Sequence, residues 1–144
     1  MKGILFSIAA LAWLGAAQAQ APTPVGVWTT FSDSTGKPEG RVRIEERDGE
    51  FSGIVTEVFS KTNPNPVCDL CEGALKNKPV IGMLILRGLR ADGDGYGGGT
   101  ILDPDDGRTY RCAMTLRDDG LRLEIRGYIG FPWLGRTQVW MRGK

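Results

Sequence analysis

Gly26-Val27-Trp28 near the start of the chain and Thr137-Gln138-Val139-Trp140-Met141-Arg142 at its end are the stretches whose reading decides the fold. Both have strand composition, with β-branched and aromatic residues alternating with polar ones. Between them, short apolar–polar alternations recur, separated by Gly, Asp, Asn and Pro, which is the pattern of an antiparallel all-β domain. The spacing predicts eight strands, over 25–31, 40–47, 50–59, 80–87, 95–102, 109–117, 120–129 and 136–142.

Leu121-Arg122-Leu123-Glu124-Ile125-Arg126 gives the plainest alternation, with Leu, Leu and Ile on one face and Arg, Glu and Arg on the other. Its neighbour puts Tyr110, Cys112, Met114 and Leu116 on one face. Asp118-Asp119-Gly120 joins the two as a hairpin, because Asp and Gly tolerate positive φ, and Arg47-Asp48-Gly49-Glu50 does the same earlier. Outside the N-terminus no stretch reads as a helix, apart from a turn within 69–77. Eight strands fit a small closed barrel, which is filled by side chains or holds one small ligand. Closure also removes the sheet edges that invite aggregation. A two-sheet sandwich is the competing architecture.

Residues 1–19 read as a signal peptide. Lys2 supplies the positive charge, Ile4 to Leu14 an apolar run too short to span a bilayer, and Ala17-Gln18-Ala19 a small-x-small cleavage site. Cleavage after Ala19 sends a chain beginning at Gln20 to the periplasm, and 20–144 then forms one domain. An uncleaved N-terminal membrane anchor is the alternative. Beyond the signal no run is long and apolar enough for a transmembrane helix.

Without Lys2, 17 basic and 17 acidic side chains remain, interspersed as in Arg41, Arg43, Glu45, Glu46 and Arg47. No basic stripe points to nucleic acid. The chain has no histidine, which removes His-based triads, two-His zinc sites and imidazole acid–base catalysis.

Five segments invite a chemical reading. Cys68-x-x-Cys71 lies in the longest loop, 60–79, without the strand–helix setting of a redox CxxC. A small disulfide within the loop fits an oxidising compartment. A bridge from Cys112 to one of the pair is the alternative; otherwise Cys112 reads as an apolar core residue. Three cysteines leave a zinc site short of a ligand, and no metal or cofactor is expected. Asp92-Gly93-Asp94-Gly95 and Asp103-Pro104-Asp105-Asp106-Gly107 resemble parts of calcium loops but lack the full ligand alternation, and read as turns. Gly97-Gly98-Gly99 has no following helix to cradle a phosphate and reads as a strand bend.

The fifth segment, Gly127 to Gly135, stacks Tyr128, Phe131, Pro132, Trp133 and Leu134 where a polar turn is usual. Such a patch covers something, binds something or moves. It reads as a plug over a barrel end, or as a portal or lid for an apolar ligand formed by Tyr128, Phe131, Trp133 and Leu134. Glu57, inside the apolar run Ile54 to Phe59, faces inward by strict parity. A bulge at Gly53 would turn it outward into solvent.

From Gly26 to Arg142 the chain resembles an uncharacterised exported bacterial family, the domain of unknown function numbered 2147. The matching segments include Val25-Gly26-Val27-Trp28, Cys68-Asp69-Leu70-Cys71, Asn77-Lys78-Pro79-Val80-Ile81-Gly82-Met83, Gly98-Gly99-Thr100-Ile101-Leu102-Asp103-Pro104 and Gly135-Arg136-Thr137-Gln138-Val139-Trp140. The resemblance implies a lipocalin-like (calycin-type) barrel with no established activity. In lipocalin-like barrels a Gly-x-Trp on the first strand and an Arg on the last tie the two ends together. Here Trp28 would cover one end and Arg142 lie across its ring, a cation–π contact of order 1 kcal/mol.

The expectation is therefore a periplasmic barrel that binds a small apolar or amphipathic ligand in a cavity of a few hundred Å³, without catalysis. The alternative is a solid barrel whose apolar loop docks onto a cell-envelope protein. An enzyme, working through paired carboxylates or a reactive thiol, ranks third.

Overall fold

A strand with one apolar face must bury that face, and a sheet of eight such strands can do so by curling until its edges meet. The computed structural model, which describes residues 15–144, shows this closure. Its strands are β1 (Gly26–Phe31), β2 (Pro38–Arg47), β3 (Glu50–Val58), β4 (Leu84–Asp92), β5 (Gly95–Asp103), β6 (Arg108–Arg117), β7 (Arg122–Tyr128) and β8 (Gly135–Arg142). Each pairs antiparallel with the next, and β8 returns to β1 through Trp28 opposite Arg142 and Thr29 opposite Met141. The eight-stranded antiparallel barrel is thus present and the two-sheet sandwich is not. The signal-peptide reading of 1–19 falls largely on residues 1–14, outside the described residues.

The connections divide the barrel into two ends. Tight turns join β2 to β3, β4 to β5 and β6 to β7 at one end, beside the start of β1 and the finish of β8. Asp48 and Gly49 both have positive φ, as a two-residue hairpin requires. The longer loops 32–37, 59–83, 104–107 and 129–134 stand together at the other end. A short 3₁₀ turn, Gly73–Leu75, lies inside the second of these loops.

Toward the tight-turn end the interior is filled by Trp28, Ile44, Phe51, Leu89, Met114 and Leu123, all buried. Phe51 meets Tyr96 edge to face at 4.8 Å between centroids. Each such side chain contributes roughly 1.5–3 kcal/mol on burial, so this half of the barrel carries much of the stability.

The main departure from the sequence reading is β4, which begins at Leu84 rather than at 80. Val80 to Met83 are held by irregular bonds instead: Val80 N–H to Pro66 O, Gly82 N–H to Val55 O, and Val55 N–H to Met83 O. The strand then runs on to Asp92 through Gly88, which has no side chain and a positive φ at a register shift, and so interrupts the alternation. The bend expected at 97–99 is present, and the β5–β6 register slips between Tyr96 and Gly99.

Candidate functional site

At the tight-turn end the chain seals itself. The Trp28 indole is fully buried and donates its N–H to Pro24 O at 2.8 Å. The Arg142 guanidinium lies 4.3 Å from the centre of that ring. Its three nitrogens donate to the carbonyls of Gly120 at 2.6 Å, Val25 at 2.8 Å and Thr23 at 2.7 Å. Burial lowers its pKa, yet an arginine remains a cation there. Gly26 explains its own place in Gly-x-Trp: its φ is +134°, and a Cβ there would stand 2.8 Å from an Arg142 nitrogen. Glycine is what lets the cation reach the backbone.

At the opposite end the barrel is a cup. Its cavity measures about 1170 Å³ and opens to solvent between the four longer loops. The apolar floor and walls come from Val42, Val55, Ile85, Ile101, Ile125 and Trp140. These belong to six strands, β2, β3, β4, β5, β7 and β8. The volume exceeds the few hundred Å³ expected because loops 32–37, 59–83 and 104–107 rise around the mouth and deepen it.

The mouth is polar and unevenly charged. Seven carboxylates border the cavity against three cations, Lys37, Arg41 and Arg136. Arg136 is held by Asp33 at 3.0 Å and Asp103 at 2.9 Å; burial opposes its charge, but these two acids raise its pKa overall. Arg41 is held by Glu57 at 2.6 Å. Glu39 and Asp105 form no ion pair among the described residues. Partial burial raises the pKa of both, and each is raised further by neighbouring acids, Glu39 by Asp105 and Asp105 by Asp103 and Asp106. Tyr110 donates its hydroxyl to Asp106, a bond that raises the tyrosine pKa. Among the described residues no three His, Cys, Asp or Glu side chains converge as metal ligands.

Cys68 and Cys71 form a disulfide, and Cys112 is a free, buried thiol whose pKa burial pushes up to about 12. The disulfide closes a short ring within loop 59–83, and beside it this loop packs against loop 104–107. Gly107 packs so closely on the Leu70 carbonyl that any side chain there would collide with it. Neither pair nor single cysteine offers a thiolate to the cavity.

The apolar loop does not plug the cup. Phe131 and Trp133 stack on each other, with centroids 4.6 Å apart and planes 7° from parallel, and stay 56% and 71% exposed. Of the four residues singled out in the sequence, Tyr128 and Leu134 border the cavity, whereas Phe131 and Trp133 stand outside it. Arg126 braces this loop by donating to Pro132 O at 2.6 Å. Glu57 faces outward, but the cause is an extra residue, Thr56, between Val55 and Glu57 in the β2–β3 ladder rather than a bulge at Gly53.

Sequence reasoning missed the polar rim. Glu39, Asp105, Arg136 and Tyr110 come from separate loops and strands, so no local spacing brings them together. The one local signal was Asp103-Pro104-Asp105-Asp106-Gly107. It does form a turn, with Asp103 and Asp106 carboxylates accepting the Asp105 and Arg108 N–H groups, while also supplying three acids to the rim.

Residues 26–142 match a family model described as an uncharacterized protein conserved in bacteria, DUF2147. Among solved structures, the chain is similar to protein HP1028 from the human pathogen Helicobacter pylori, described as belonging to the lipocalin family. The two are 23% identical, the match covers 85% of this chain and 84% of that one, and the TM-score is 0.73. That likeness shows the fold, a lipocalin-like barrel. No curated protein matches the chain.

Proposed function

This chain belongs to the DUF2147 family, and we propose that it is an exported periplasmic barrel that binds a small apolar or amphipathic molecule in its cup, without catalysis. The observation that carries this reading is the asymmetry of the barrel: one end is sealed by Trp28 and Arg142, and the other is an apolar-walled cavity of about 1170 Å³. Ligand pockets are typically concave, mostly apolar and provided with a few polar groups at fixed places. The lack of histidine and the sealed or bridged cysteines favour binding over covalent chemistry. Tyr128 and Leu134 would form the cavity side of a portal, with Phe131 and Trp133 as its outer face. Export rests on the Lys2, Ile4–Leu14 and Ala17-Gln18-Ala19 pattern.

Native mass spectrometry of protein taken from the periplasm tests both parts. We expect a chain beginning at Gln20, carrying a stoichiometric small molecule that solvent extraction releases. Protein that arrives empty, and then fails to take up any apolar probe, would overturn the binding reading.

The exposed Phe131–Trp133 stack favours a second reading, in which the loop docks onto an envelope protein. Loss of partner capture by Trp133→Ala at unchanged stability would support it.

A further inference from the structure

We propose that the ligand is an amphipathic cation, an apolar chain or ring carrying an amine or quaternary ammonium head. This rests on the binding reading above and names the ligand class of the same cavity. The whole chain is nearly neutral, at +1, yet the residues bordering the cavity carry a formal excess of four negative charges, from seven carboxylates against three cations. Two of those cations are already engaged: Arg136 by Asp33 and Asp103, and Arg41 by Glu57. A carboxylate- or phosphate-headed ligand would therefore meet Lys37 alone, against a surplus of like charge. Glu39 and Asp105 form no ion pair among the described residues, and Arg136, committed to Asp33 and Asp103, only partly offsets the acids around Asp105; a cation seated beside the two would supply the missing charge.

Four aromatic residues, Phe59, Tyr110, Tyr128 and Trp140, border the same cavity. Aromatic walls beside carboxylates are the usual surroundings of an organic ammonium group, which is held by ring faces as well as by charge. A bare metal ion fits less well, because the acids are spread around the rim and do not converge on one point. Below the rim, Val42, Val55, Ile85, Ile101 and Ile125 offer an apolar wall that only a ligand with a hydrocarbon portion would use. Head and tail are thus specified by two different layers of one cavity.

The test compares three probes of equal chain length below their micelle concentrations: decyltrimethylammonium, decanol and decyl sulfate. Each is titrated against the full mature protein by calorimetry at low salt. The cationic probe is expected to bind about tenfold more tightly than the anionic one, equivalent to about 1.4 kcal/mol. Added salt should narrow that ratio, since the rim is exposed to screening. The double variant Glu39→Gln/Asp105→Asn should reduce the ratio severalfold. Asp94→Asn/Asp119→Asn, in two turns at the sealed end, removes the same number of charges and should leave the ratio alone. Equal or tighter binding of decyl sulfate would overturn the cation proposal while leaving the binding reading intact. Failure of all three probes would overturn both.

Discussion

At the sealed end of the barrel Arg142 gives its donors to three backbone carbonyls and its charge to the Trp28 ring; at the open end Glu39 and Asp105 stand among other acids with no ion-pair partner among the described residues. The strands are the same eight. What differs is how the charge is arranged: a cation spread over carbonyls and a ring at one end, acids crowded beside acids at the other. A buried cation is tolerable only when hydrogen bonds and an opposing charge distribution replace its water, which the sealed end supplies in full. Carboxylates crowded beside other acids cost some stability even where water reaches them, so a rim that keeps them points to a role outside folding. The sealed end stabilises the barrel, and the open end gives up stability to a cavity.

The sharpest way to break this comparison is to cut the sealed end. Trp28→Ala removes a fully buried indole, the Arg142 contact and the bond to Pro24 O. Large-to-small changes of this kind cost about 3–5 kcal/mol, which should appear as a large drop in the urea midpoint. Arg142→Met keeps an apolar stem but strands the three carbonyls, for about 1–3 kcal/mol. A loss well under 1 kcal/mol from Trp28→Ala would mean that the two ends do not differ in the way described.

A smaller effect is expected at the open end, from the disulfide. Replacing Cys68 and Cys71 by serine frees a short loop, and chain entropy assigns such a closure about 2 kcal/mol. The damage should be local. Amide exchange should quicken across residues 66–80, where Cys68 N–H, Asn77 N–H and Val80 N–H are bonded to loop carbonyls, and hold steady around Trp28 and Arg142. Uniform acceleration over the whole barrel would show that the loop is part of the stabilising core.

The same contrast explains what could be read from the sequence. The strands are encoded by short-range chemistry, alternation along each strand and Asp-Gly turns, whereas the meeting of Gly26, Trp28 and Arg142 joins the two ends of the chain and was expected from the family resemblance. Period-two patterning survives without tertiary knowledge, so eight strands were legible. It failed at β4, where Val80 to Met83 have strand composition but are tied to Pro66 and Val55 instead of a ladder. The rim was illegible for a related reason. Its charge excess exists only once loops 32–37, 59–83 and 104–107 share one mouth, and residues such as Glu39 and Asp105 look locally like ordinary solvated acids. The hydrophobic loop was visible, whereas its division into cavity-facing Tyr128 and Leu134 and solvent-facing Phe131 and Trp133 depends on the 3₁₀ turn Pro132–Leu134.

The smallest effect sharpens the comparison most. Glu39 and Asp105 have pKa values raised above those of ordinary carboxyls, by partial burial first and neighbouring acids second. A carboxyl with a raised folded pKa binds its proton more tightly folded than unfolded, so its ionised form weakens the fold. That penalty is complete above the folded pKa and is relieved as pH falls through it toward the unfolded value. Asp105→Asn should therefore stabilise the protein at pH 7, by no more than about 0.5 kcal/mol because the site is largely solvated. The gain should fade as pH falls below the raised value. The backbone N–H of Asp105 keeps its bond to Asp103 in the variant, so the turn itself is not tested. Urea unfolding of both proteins at pH 7 and pH 4 gives the two differences needed. A destabilised Asp105→Asn at pH 7 would make the carboxylate a structural group, and the open end would then be built on the same terms as the sealed one. A stabilised variant would leave the rim as a place where folding alone would not have kept the charge.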